Sequence, residues 1–527
     1  MTEPGRRGEP GGPAHHAFAS ASGAGGVPAR PLRRAEVCET HTAVVFFLGD
    51  RAYKVKKPVD LEFLDYTTVE ARRAACAHEV ALNRPFAPDV YLGLGEFRGP
   101  QAEPPEPVVV MRRMPAERRL SRLVRDGVDV DDTLRAVARL LAAHHAGASR
   151  TPEVDAQGTR DALSSRWEAS FAQVRTLADH GHLPEGVAQI EQLVRRYLAG
   201  RERLFDMRIE QGRIVDGHGD LLAEDIFCLQ DGPRVLDCLE FDDHLRYVDG
   251  IDDAAFLAMD LEQLDAPRRA AFFLARYSEY SGDPAPPSLR HHYVAYRAFV
   301  RAKVSLIQAV QGAPGAEAAA RRLIAAALRH LRTSAVGLTL VGGLPGSGKS
   351  TLSGVLADRL GATLLSSDRL RKELAGLPAE RSAAAPYGQG LYAPEWTART
   401  YAALLERASA LMIRGESVVL DATWSDVRQR EAAERTAERA GAGLVALRCE
   451  VPGEVMAARL GTRAPGASDA GLEVATAIAE SEQPWPQAVV IDTSGPLEAA
   501  AVRAFAAVRP FDAAQDLVFR RPYMEPG

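Results

Sequence analysis

The sequence predicts a multidomain chain, an α+β bilobal N-terminal domain followed by an α/β domain with a parallel sheet, and three observations predict it. The first is Gly342-Gly-Leu-Pro-Gly-Ser-Gly-Lys-Ser-Thr351, which holds G-x-x-x-x-G-K-S from Gly343 to Ser350. An apolar, strand-like run at 336–341 precedes it and an amphipathic helical pattern at 352–360 follows, the context this phosphate loop requires. The second is the spacing H-x-D-x-x-x-x-D from His218 to Asp225, followed by an apolar run ending at Asp237. The third is the cluster Tyr53-Lys-Val-Lys-Lys57, in a chain whose 64 basic residues include only six lysines. Lysine in so arginine-rich a chain marks places where a compact point charge is wanted rather than a planar fork.

Length and composition set the frame. At 527 residues the chain implies about two to four domains. A hydrophobic fraction of 46% and a charged fraction of 25% are ordinary for a globular protein. The net charge of −6 gives no bulk attraction to nucleic acid or an anionic membrane. Cys38, Cys76, Cys228, Cys238 and Cys449 form no C-x-x-C pair, so they are expected as free, mostly core thiols of a reducing cytosol. Residues 1–31, rich in Gly, Ala, Pro, Ser and Arg, read as a disordered tail, and 511–527 as a C-terminal one. No run approaches the roughly 18 apolar residues of a membrane span, so a cytoplasmic protein without a membrane partner is expected.

In chain order, Ala43–Leu48 and 53–55 are apolar stretches split by Gly49-Asp50, a hairpin signal that puts Lys54 or Lys56 on the second strand. The spacing of Ala71, Ala75, His78 and Leu82 predicts a helix over Val69–Asn83 that carries Glu79. A strand lysine followed by a helix glutamate is how kinase-like folds hold the lysine that binds the α- and β-phosphates. The A-x-K spacing of Ala52-Tyr53-Lys54 favours Lys54 for that role. A strand at 108–111 leads to a hinge at Arg112-Arg113-Met114-Pro115. Helices are expected over 134–145, 160–177 and 187–210, and again from 268 to 332 with breaks at 284–287 and 312–315. His144, His145, His180 and His182 lack further ligands at a metal-binding spacing and read as surface or capping residues.

Val215-Asp-Gly-His218-Gly-Asp220-Leu-Leu-Ala-Glu-Asp225-Ile-Phe227 and the run to Asp237 give three acids the spacing that phosphoryl transfer uses. Asp220 would accept the proton of the acceptor hydroxyl, and Asp225 and Asp237 would bind Mg²⁺. Here the sequence resembles the aminoglycoside phosphotransferase-like kinases, so the first domain is expected to be protein-kinase-like. Val248-Asp-Gly-Ile-Asp-Asp-Ala-Ala-Phe-Leu resembles that family's following helix with its acidic start, at Asp249, Asp252 and Asp253. Two departures are visible: Asp225 stands where the family has asparagine, and no G-x-G-x-x-G precedes Lys54.

In the second half, short strands at Thr363–Ser366, 418–420, 444–449 and 488–491 alternate with helices, which predicts a parallel sheet. Gly343, Leu344, Pro345, Gly346, Ser347, Gly348, Lys349, Ser350 and Thr351 would cradle ATP, with Lys349 on the β/γ-phosphates and Ser350 on Mg²⁺. Ser367-Asp368-Arg-Leu-Arg371 and Asp421-Ala-Thr423 follow strands on the phosphate-loop side, where an open α/β sheet binds ligand. Arg459 and Arg463 lie four apart on one helix, where they can clamp phosphoryl oxygens, though a solvated helix edge is the plain alternative. This half resembles the small P-loop kinases of the polynucleotide-kinase, gluconate-kinase and zeta-toxin-like group. The resemblance implies Asp368 as base, Arg371 as phosphate or substrate contact, Asp421 as second substrate or metal-water contact, and Arg459 and Arg463 as a lid.

Together the halves, 36–333 and 334–510, resemble the proteins described as bifunctional aminoglycoside phosphotransferase/ATP-binding proteins. Antibiotic modification does not follow from that description. The expectation is an ATP- and Mg²⁺-dependent transfer to a small-molecule hydroxyl, chiefly through the C-terminal domain. Two alternatives stand beside it: a nucleotide-binding regulatory module with a degenerate first domain, and a 5′-hydroxyl polynucleotide kinase. The 18 basic and 20 acidic residues of 334–510 form no basic stripe, which speaks against nucleic acid. Oligomeric state leaves no mark in the sequence.

Overall fold

The structure, a computed structural model, describes residues 35–509 apart from 41, 62–63, 99–103, 179–184, 379–380, 382–387 and 463–470. Both expected tails, His180, His182 and Arg463 lie outside the described residues.

The first lobe is an antiparallel sheet in the order Glu36–Glu39, Ala43–Leu48, Arg51–Lys56, Glu106–Arg112 and Tyr91–Phe97. The hairpin at Gly49-Asp50 forms, with Gly49 at φ 64° and Leu48 opposite Arg51. The sheet begins one strand earlier than the sequence predicts. All four residues of Glu36–Glu39 are exposed, so no buried face marks that strand, and Lys54 lies on the third strand. The helix Val69–Asn83 starts at Thr68, whose hydroxyl accepts from the Ala71 N–H at 3.1 Å. Its buried positions Cys76, Glu79, Val80 and Asn83 follow i, i+3, i+4, i+7 and face the sheet. One of those four is a carboxylate, which needs a buried cation.

The second lobe is helical. Pro287–Val310 packs against Gly250–Gln263 and Ala316–Ser334, and Asp131–Gly147 against Pro267–Ser281. Trp167 stacks on Phe171 at the centre and Phe299 packs against both rings, with centroids 5.0–5.4 Å apart. The helix expected over 187–210 is two, Val187–Ala199 and Glu202–Glu210, broken at Gly200-Arg201. The reason is a tertiary contact. A Cβ on Gly200 would lie 2.0 Å from the Ala440 carbonyl oxygen of the second domain, and Arg201 Nη1 donates to that same oxygen at 2.5 Å.

The second domain is a five-stranded parallel sheet in the order Thr363–Ser366, Val418–Asp421, Gly337–Gly342, Gly443–Glu450 and Val489–Asp492. Only Ala335 and Val336 separate its central strand from the helix Ala316–Ser334. One buried cluster runs from the helical lobe through Leu331 and Val336 into Leu338 and Val418 of the sheet. Ser288 Oγ donates to the Gly415 carbonyl (2.6 Å), Arg196 to that of Ala442 (3.0 Å) and Arg509 to that of Thr333 (3.1 Å). The expected architecture, an α+β bilobal kinase-like domain ahead of a parallel P-loop domain, is what the structure shows. No described helix is long and apolar enough to cross a membrane.

Candidate functional site

Two clusters of polar side chains form, one in each domain. In the first, Lys54 Nζ lies 2.9 Å from Glu79 Oε1 and 2.8 Å from Asp237 Oδ1. Lys56, two residues along on the same face of the strand, lies 2.7 Å from Glu79 Oε2 and pairs with Glu240. Sequence reasoning weighed Lys54 against Lys56; the structure uses both, one on each oxygen of Glu79. Burial opposes the charge of Lys54, Lys56 and Glu79. Even so, Asp237 and Glu79 hold the Lys54 ammonium well above its ordinary range, and the two lysines hold Glu79 below its own.

Asp237 sits at φ 63°, a left-handed conformation that costs a non-glycine residue about 1 kcal/mol or more. The chain around it is pinned. Its N–H donates to the Tyr91 hydroxyl at 3.2 Å, and the next N–H, of Cys238, to Asn83 Oδ1 at 2.9 Å. The glutamate helix thus fixes both the lysine's partner and the aspartate's turn.

The His218–Asp220 loop hangs from Asp253. That carboxylate accepts from the N–H groups of His218 and Gly219, both at 2.8 Å, and from His145 Nε2 at 3.0 Å. His145 in turn meets the Tyr277 hydroxyl at 2.8 Å. His145 is therefore a buried brace and not the surface residue expected, and His144 packs its ring on Phe86 with centroids 4.2 Å apart. Burial resists ionisation of Asp253, but the His145 hydrogen bond and charge hold it well below the usual carboxylate range.

Asp220 and Asp225 lie near enough to Asp237 for its charge to act on both. Burial pushes Asp220 up to about 6 against the pull of Arg301; burial, then Asp237 and Asp220, push Asp225 up to about 8. A protonated Asp225 resembles the asparagine it replaces, being neutral with one acceptor oxygen. The unfolded chain loses this proton near the ordinary 3.8 and the folded chain near 8, so stability falls as pH rises across that window. Asp225→Asn removes the penalty. In urea titrations it is expected to match the parent near pH 4 and to exceed it at pH 9 by several kcal/mol, at about 1.4 kcal/mol per unit of the raised pKa. An identical difference at both pH values refutes the assignment.

The second cluster surrounds the phosphate loop between Gly337–Gly342 and the helix Lys349–Leu360. Gly346 and Gly348 take φ of 82° and 83°, turning successive N–H groups to one side. A Cβ on Gly343 would lie 2.7 Å from the Cys449 carbonyl oxygen, so the loop hugs the neighbouring strand. Asp421 ends its strand beside Lys349, Ser350 and Ser366. Burial raises its pKa while Lys349 opposes the rise. Its Oδ1 and the Ser347 hydroxyl are buried without a protein partner. Asp368 pairs with Arg371 at 3.0 Å, and Arg371 lies 4.6 Å from the Tyr392 ring centre. Arg459 donates to the Thr493 carbonyl at 2.8 Å beside Gly348 and so lies against the loop.

The structure thus brings Lys54, Glu79 and Asp237 together with Asp220 and Asp225 near them. It separately gathers Lys349, Ser350, Asp421 and Asp368–Arg371, with Arg459 adjoining. The cross-domain hydrogen bonds from Arg196, Arg201, Ser288 and Arg509 touch neither group. Sequence reasoning missed Glu240 and the sharing of Glu79 by both lysines, the bracing role of Asp253, and Asn83 and Thr493. Only the Lys54/Lys56 pairing had a signal, the scarcity of lysine.

ATP and Mg²⁺ fit what is present. The glycine cradle admits no side chains, and a buried Asp421 oxygen and the Ser347 hydroxyl wait for partners beside Lys349 and Ser350. Among the described residues no three His, Cys, Asp or Glu gather to hold an ion by themselves. One or two carboxylates per cluster suit a cation that also leans on phosphate oxygens.

Residues 338–484 match the family described as AAA domain. Over 470 residues the chain is 44% identical to an uncharacterized protein of Mycobacterium tuberculosis strain H37Rv, covering 89% of this chain and 94% of that one. Among solved structures, a gluconokinase from Sinorhizobium meliloti is 20% identical, with TM-score 0.25, over 35% of this chain and 98% of its own. A choline/ethanolamine kinase family protein from Mesorhizobium loti is 16% identical, with TM-score 0.35, over 58% of this chain and 95% of its own.

Proposed function

Because the chain belongs to the same family as the Mycobacterium tuberculosis protein, with an AAA-domain P-loop module behind a kinase-like one, we propose that it is an ATP-dependent phosphotransferase. Its C-terminal site moves the γ-phosphoryl group to a hydroxyl of a small molecule. The observation that carries this reading is Asp368 held by Arg371 at 3.0 Å, close enough to Asp421 to act on its charge beside the phosphate loop.

When bound, Mg·ATP supplies the phosphoryl group and its charge neutralisation. The chain's residues do the rest. Backbone N–H groups of the loop and Lys349 hold phosphate oxygens, and Ser350 with the free Asp421 oxygen faces the cation or its waters. Asp368 accepts the acceptor's hydroxyl proton as the oxygen attacks, and Arg371 keeps that carboxylate aimed. Arg459, already against the loop, places its guanidinium where charge grows on the transferred group.

Asp368→Asn tests the base. It is expected to lower phosphoryl transfer by about 10²–10⁴-fold and to leave affinity for a fluorescent ATP analogue intact. Undiminished transfer removes Asp368 from the mechanism, and loss of nucleotide affinity makes it a binding residue instead.

A further inference from the structure

A half-open space of about 310 Å³ lies where the two domains meet, at the edge of the parallel sheet away from the phosphate loop. Its walls come from the helix Val187–Ala199, the linker at Ala335-Val336 and the starts of three parallel strands at Gly337, Val418 and Gly443. The phosphate loop and Asp421 follow the opposite ends of two of those strands. The space is therefore the underside of the sheet and no part of the nucleotide site.

Its charge is one-sided. Arg196, Arg201, Arg332 and Arg509 line it, and none of the described lining residues is acidic. Arg201 is fully buried. Its Nη1 donates to the carbonyl oxygens of Gly200 and Ala440, its guanidinium lies 5.3 Å from the Tyr197 ring centre, and its Nε and Nη2 are buried without a hydrogen-bond partner. A buried guanidinium with two donors unmet, beside the like charge of Arg196, is costly unless something anionic completes it. Much of the remaining lining, such as Leu193, Leu338 and Val508, is apolar.

We propose that this junction is a binding site for a small organic anion, whose phosphate or carboxylate oxygens accept from Arg201 Nε and Nη2 and whose apolar body fills the rest. The bidentate geometry a guanidinium offers suits either head group. The Gly200-Arg201 break, set by the contact with Ala440, also delivers the arginine to the interface.

The test uses the full chain with Mg·ADP saturating, so that the phosphate loop is closed to the probes. Phenyl phosphate, benzoate and phenol are titrated by calorimetry at roughly physiological ionic strength, where exposed charges are largely screened. Both anions are expected to bind saturably at one site per chain, and phenol not at all. Arg201→Met is expected to weaken phenyl phosphate at least tenfold while the ligand-free protein melts no earlier, because the substitution removes an uncompensated charge. Should that variant fail to fold, Arg196→Gln carries the same expectation of weaker binding. Arg321→Gln, a surface arginine paired with Glu317, is the charge control and leaves binding unchanged. Absent binding of both anions, equal binding of phenol, or equal loss in Arg321→Gln overturns the proposal.

Discussion

Lys349→Ala is expected to lower Mg²⁺-dependent ATP turnover by about 10²–10³-fold, the usual loss when one preorganised positive donor is taken from developing charge. Lys349 opens its helix, is nine-tenths buried, and acts on the charge of both Asp421 and Cys449. The one other lysine of that domain, Lys372, lies on the helix Ser367–Leu374. Loss of Lys349 also leaves the buried Asp421 carboxylate without its main positive neighbour, so nucleotide affinity falls together with turnover. Asp220→Ala, assayed beside it, is expected to leave turnover largely intact, because the proposed engine is the second domain. Equal losses in both variants would make the kinase-like cluster catalytic as well.

Arg208→Met is expected to cost about 3–5 kcal/mol of stability in urea or thermal unfolding. Arg208 is buried and meets two carboxylates at once: Nε and Nη2 donate to Asp249, both at 2.7 Å, and Nη1 and Nη2 to Asp283 at 2.5 and 2.6 Å. Asp249 caps the helix Gly250–Gln263, accepting from the Ile251 N–H at 3.0 Å, and Asp283 accepts from the Ala285 N–H at 2.9 Å. Removing the cation leaves two acids facing each other out of water. Asp283, whose carboxyl Arg208 holds below its ordinary range against burial, loses that pull, so the deficit shrinks as pH falls through the carboxylate range and grows above it. Adding Asp249→Asn and Asp283→Asn to the variant should recover much of the loss. A deficit under about 1 kcal/mol at neutral pH would mean that water reaches the site.

The two halves were legible in the sequence to different depths, for physical reasons. The phosphate loop is local: strand, glycines, lysine and helix lie within about twenty residues, and each leaves a pattern in its own stretch. The strand-end residues Asp368 and Asp421 were readable because a parallel sheet puts every such end on one side. The kinase-like cluster is assembled across distance. Lys54 meets Asp237 over 183 residues and His145 meets Asp253 over 108, which no local periodicity encodes. Glu36–Glu39 escaped because an exposed edge strand needs no alternation, and the break at Gly200 because it answers a contact with Ala440.

The central place of Gly337–Gly342 in its sheet has a consequence for synthesis. It is the first strand of its domain to leave the ribosome, yet its two partners, Val418–Asp421 and Gly443–Glu450, are completed only when residue 450 has been added. At roughly 5–20 residues per second both edges of an apolar strand stand open to stray pairing for roughly 4–16 s, and one of them for roughly 5–20 s. The finished helical lobe, whose helix Ala316–Ser334 ends two residues before the strand, holds Val336 and Leu338 in its own core cluster. During translation the first domain therefore acts as a holdfast for the second, so a nascent chain stalled between 342 and 418 should aggregate more readily when that lobe is destabilised.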